Sequence, residues 1–87
     1  MKNKKLLEKL KDILSADRKT QLKKYKSLKI VLKQLRIEKK ALEKMLSNTT
    51  DEEKRHEISS GLKVISMQRQ KGLRLLKELK EERKRNK

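Results

Sequence analysis

Eighty-seven residues carry 28 Lys and Arg against 12 Asp and Glu, a formal net charge of +16, with 46% of the chain charged. Cysteine, proline, tryptophan and phenylalanine are all absent, which excludes a disulfide framework and a thiolate metal site. The length allows one domain, no apolar run approaches the ~20 residues of a membrane span, and the basic start lacks the apolar stretch of a signal peptide, so a cytoplasmic all-α polycation is the expectation.

The first apolar set is Leu6, Leu7, Leu10, Ile13 and Leu14. Its spacing describes one face of an amphipathic helix, predicted over residues 4–14. Lys2, Lys5, Lys9 and Lys11 lie off that face, a pattern that also suits an anionic membrane surface. Packing on the rest of the chain is the simpler use, because the segment has no Trp or Phe anchor. Residues 15–21 then hold no large apolar side chain. Ser15 followed by Asp17 suits an N-cap with an acidic first turn, and the heptad phase changes here. A break is therefore expected, with one continuous helix as the alternative.

The second segment, a helix predicted over 17–46, places Tyr25, Leu28, Leu32, Leu35, Leu42 and Leu46 in steps of three and four, the a/d seam of a helix pair. Lys39 interrupts the seam, while Leu22, Val31 and Met45 widen it. A boundary follows at residues 47–53. Asn48 can adopt the left-handed conformation that ends a helix, and Thr50 with Glu53 fits a capping box. The third helix is predicted over 51–83, with a frayed polar tail at 84–87. Ile58, Leu62, Ile65, Leu76 and Leu79 carry its seam, with Arg69 and Gly72 on the intervening positions.

Long helices joined by a short connection become antiparallel neighbours. Pairing across a turn at Asn48 sets Leu35 opposite Leu62, Leu32 opposite Ile65, and Tyr25 opposite Gly72. A glycine inside a helix costs about 1 kcal/mol relative to alanine; room for the only aromatic ring is its expected purpose. The architecture read from the sequence is thus an antiparallel helical hairpin with a short N-terminal helix packed on it, a three-helix bundle. The apolar complement is small for this length, and the excess positive charges repel one another. A homodimer or an anionic partner would relieve both deficits.

The charge is unevenly distributed. Residues 18–37 hold eight basic residues and no acid, and residues 58–77 hold five and no acid. Hairpin pairing brings the two stretches level. From them come the candidate nucleic-acid contacts Lys19, Lys23, Lys26, Lys29, Lys33 and Arg36 on one helix, and Lys63, Arg69, Lys71, Arg74 and Lys77 on the other. Lys19, Lys23, Lys26 and Lys33 fall on one helical stripe by their spacing. Ser66, Gln68 and Gln70 add polar groups at the same height. Phosphodiesters fit such a band because neutralised phosphates release condensed counterions. Lysine outnumbers arginine 21 to 7, which favours diffuse backbone contact over guanine reading. The sequence reading is a small non-catalytic nucleic-acid-binding protein, RNA slightly preferred. The alternative is a helical protein-interaction module, a coiled-coil adaptor or chaperone for an acidic partner, cued by apolar Val31, Val64, Met67, Leu73 and Leu75 off the main seam. His56 is the only histidine and lacks a partner at ligand or catalytic spacing, so no enzyme, cofactor or metal role is expected.

Overall fold

A computed structural model of the chain describes residues 2–85, and side chains from residue 4 onward. All regular structure among the described residues is helical: α1 (Lys2–Ser15), α2 (Arg18–Lys23), α3 (Tyr25–Asn48) and α4 (Glu52–Arg85). α3 packs along α4, and α1 lies against both. At about 1.5 Å per residue, the 34 residues of α4 account for the long dimension of a 53 × 18 × 16 Å molecule.

The break expected after α1 is present, and its chemistry is specific. Asp17 is the N-cap of α2, its Oδ1 accepting from the Thr20 N–H at 2.8 Å. The Thr20 backbone and side-chain hydrogen bonds, with Lys23 nearby, hold the Asp17 carboxyl below the usual carboxylate range. Ser15 instead donates back to the Asp12 carbonyl within α1. Gln21 is buried, and its Nε2 donates to the Ile13 carbonyl at 3.0 Å and the Leu14 carbonyl at 3.3 Å. A helix leaves its last carbonyls without intrahelical donors; Gln21 supplies one from the next element and latches α1 onto the body. Gln21→Leu keeps the volume and removes the donor, so it is expected to cost about 1–3 kcal/mol in a urea titration. Unchanged stability would remove the latch from the account.

The helix expected over 17–46 is interrupted at Lys24, which has φ −95° and ψ 17°. Its N–H is shared between the Thr20 and Gln21 carbonyls at 3.0 and 3.1 Å, a tightened turn of the kind found at helix ends. α2 is thereby tied to α1 by Gln21, and α3 starts afresh on the hairpin.

The connection between α3 and α4 also differs from the expected caps. No described residue has a positive φ, so Asn48 is helical rather than left-handed. Thr49 follows in extended conformation, with its hydroxyl donating to the Met45 carbonyl at 2.6 Å. Arg55 reaches back from α4, donating to the carbonyls of Leu46 at 2.8 Å and Thr49 at 2.9 Å. Asp51, not Thr50, caps α4 by accepting from the Glu53 N–H at 3.1 Å. A turn centred later in the chain shifts the pairing by about one helical turn.

The core shows the shift directly. Leu32 lies level with Arg69, whose Nε donates to its carbonyl at 3.2 Å, and with Gly72. A Cβ on Gly72 would sit 2.6 Å from Leu32 Cδ2 and 3.0 Å from Leu10 Cδ1. The glycine thus makes room for two leucines, and the expected pairing with Tyr25 is not formed. Tyr25 is buried further along the hairpin, under the Arg83 guanidinium at 4.2 Å from the ring centroid. Arg83 ends the helix predicted over 51–83; α4 runs past it to Arg85, into the tail expected to fray, and Asn86 and Lys87 lie outside the described residues. Gly72→Ala gains up to about 1 kcal/mol of helix propensity but overfills a packed core, which costs about 1–3 kcal/mol. Its melting temperature is expected to fall; a rise would show that the leucines yield.

Leu10, Ile13, Tyr25, Leu28, Val31, Leu32, Leu35, Ile65, Leu75 and Leu79 form one buried cluster. No described residue between Leu35 and Ile65 is fully buried. The molecule therefore has a three-helix body and a two-helix tip, in which Leu42, Leu46, Ile58 and Leu62 are only half-buried.

Candidate nucleic-acid interface

α1 defines the two sides of the α3–α4 pair. Leu10 sits over Gly72, and Lys9, Asp12 and Ile13 lie beside Lys24, Ser27, Val31 and Gln34. The opposite side carries the cations. At about 100° per residue, Lys26, Lys29, Lys33, Arg36 and Lys40 of α3 all fall on the flank of Leu32 away from α1. They recur every three or four residues over about 21 Å, and all five are exposed.

On α4 the same count places Arg69, Lys77, Lys80 and Lys84 on the flank of Gly72 that turns away from α1. Arg69 is half-buried by its bond to the Leu32 carbonyl; the three lysines are exposed. Lys29 and Arg83 meet over the Tyr25 ring, Lys29 at 5.8 Å from its centroid. Cation–π contact holds both heads at the seam between α3 and α4.

Glu43 follows Lys40 by about one turn and closes the α3 row at the tip end; the other acids of the body lie elsewhere. Glu78 and Glu82 occupy the α1–α2 flank of α4, where Arg18 takes both at 3.3 and 3.7 Å. Arg18 is thus neutralised rather than part of the band. Glu81 falls on the back of α4 and Glu38 on the α1 flank of α3 by the same phase count. Among the described residues, no ion pair involves a cation of this face.

The candidate residues divide accordingly. Lys26, Lys29, Lys33, Arg36, Arg69 and Lys77 come together on one face. Lys19 and Lys23 sit on α2, out of line with α3 because of the interruption at Lys24. Lys63 and Arg74 point from the back of α4, and Lys71 lies on its α1 flank. Lys40, Lys80, Arg83 and Lys84 belong to the face and were not among the candidates. Helical phase counted from Leu32 on α3 and Gly72 on α4 groups them with the other cations once α1 marks the covered flank; the acid-free stretches marked height along the helix and not direction.

Other expected features are placed plainly. Val31 and Leu75 are buried, whereas Val64, Met67 and Leu73 remain exposed. His56 lines a shallow depression with Glu52, Glu53, Arg55, Glu57 and Ser59 at the start of α4. Among the described residues, no helix is long and apolar enough to cross a membrane. The sequence matches no known protein-family pattern, no curated protein and no solved structure.

Proposed function

We propose that this chain is a small non-catalytic protein that holds the phosphodiester backbone of nucleic acid, RNA slightly preferred, against the α3–α4 face opposite α1. One observation carries the reading: from Lys26 to Lys40 exposed cations recur each turn along one flank of α3 with no acid among them, and exposed Lys77, Lys80 and Lys84 extend that flank on α4. A face needed only for solubility would mix both signs and pair them at i, i+4. Leaving it unpaired raises the energy of the free protein, and a polyanion lowers it again.

The same face argues for backbone contact in place of base reading. Its heads are mostly lysine ammonium groups, point charges without the fork that reads guanine. The one aromatic ring, Tyr25, is buried, so no stacking platform for unpaired bases is offered. A structured or duplex RNA presents closely spaced phosphates to such a stripe.

Fluorescence anisotropy with a labelled RNA hairpin, between about 50 and 200 mM salt, tests the proposal. Engagement of about six phosphates gives a log–log salt slope near −5. No binding at the low-salt end, or an affinity indifferent to salt, would sink it.

A further inference from the structure

The two glycines of α4 occupy equivalent positions with opposite surroundings. Gly61 and Gly72 are about three turns apart, so both face the groove between α3 and α4 on the side where α1 packs. At Gly72 the space of a missing Cβ is taken by Leu10 and Leu32; at Gly61 nothing lies within 4 Å. A helical glycine carries a cost of about 1 kcal/mol, and no contact within the described chain offsets it at Gly61. Around Gly61 the groove is open and apolar, about 410 Å³, lined by Leu42, Met45 and Ile58 with Lys54 and Glu57 at its edge. Met45 is 54% exposed. Leu10 over Gly72 shows what such a seat takes: an unbranched or leucine-sized apolar side chain from a third helix.

Charge decides whose side chain that is. Residues 38–62 hold six acids and five Lys and Arg, net −1, while the rest of the chain is +17. A second copy cannot approach the body without bringing two strongly positive surfaces together, whereas two tips meet at near neutrality. We propose that the tip is a self-association surface. Two copies pack groove to groove about a two-fold axis, each seating its Met45 over Gly61 of the other. A two-fold interface must be self-complementary, and the groove edge satisfies this with Lys54 and Glu57, which the axis sets against their opposites in the other copy. The bodies, and the cationic faces turned away from α1, then project at the two ends.

Sedimentation equilibrium on nuclease-treated protein, from about 1 µM to 1 mM at about 150 mM salt, tests this. The parent is expected to dimerise within that range. Met45→Glu and Gly61→Leu are expected to remain monomeric with unchanged far-UV circular dichroism. Lys54→Glu is expected to weaken the dimer about tenfold, and the swap Lys54→Glu with Glu57→Lys to recover most of that loss. Gly61→Ala separates docking from folding: its dilute monomer melts higher than the parent because nothing meets the new Cβ, yet its dimer is weaker. A parent monomeric up to 1 mM overturns the proposal. So does a dimer insensitive to both Met45→Glu and Gly61→Leu.

Discussion

Reversing Lys26, Lys33 and Lys80 to glutamate is expected to reduce the salt slope of RNA binding by about three units, since each lost phosphate contact removes about one. Reversing Lys63, Lys71 and Arg74 changes the net charge of the protein by the same amount. All six residues are exposed, so neither triple disturbs the core. The second triple is expected to change the slope by less than about one unit, because those side chains leave α4 from its back and its α1 flank. Comparing the two removes overall charge from the question and leaves direction alone. Equal losses from both would mean that the protein acts as a diffuse polycation, and the assignment of a face would fail.

Leu10→Ala is expected to be the most damaging single truncation in α1. Leu10 is fully buried and fills the groove over Gly72, so its loss removes burial and leaves a cavity, together about 2–5 kcal/mol. Urea unfolding followed at 222 nm measures the shift. A double-mutant cycle sharpens it. In the Leu10→Ala background the 3.0 Å approach to Leu10 Cδ1 disappears, although Leu32 Cδ2 still crowds the site. Gly72→Ala should then cost less than it does in the parent, a coupling of about 0.5 kcal/mol or more. Strict additivity would show that Leu10 and Gly72 do not share one packing site.

The helical class and the seam were legible because they rest on repetition. Leu28, Leu32, Leu35, Ile65 and Leu79 recur at three and four residues, and each is buried. Features resting on one residue were harder to read. Asn48 and Thr50 have the propensities of caps, yet Thr49, Asp51 and Arg55 do the capping. Neighbouring polar residues differ by too little intrinsic energy for propensity to choose among them. That choice moved the hairpin pairing by about a turn and exchanged the neighbours of Gly72 and Tyr25. Gln21 gave no periodic signal, since its value comes from two carbonyls on another helix. The candidate interface was half legible. Acid-free stretches located its level, but only packing against α1 shows which way each lysine leaves its helix.

The burial of Tyr25 also determines what light can report about this protein. With no tryptophan or phenylalanine and one tyrosine, its near-ultraviolet absorption and emission come from a single ring. That ring sits where the start of α3 meets the end of α4, enclosed by Arg83 and Lys29. Tyrosine emission therefore follows the closure of that one end, while the peptide signal at 222 nm follows every helix, the tip included. Where the thinly packed tip melts before the body, the two signals part company, and the gap between them measures how far the two halves of one long helix behave as separate cooperative units.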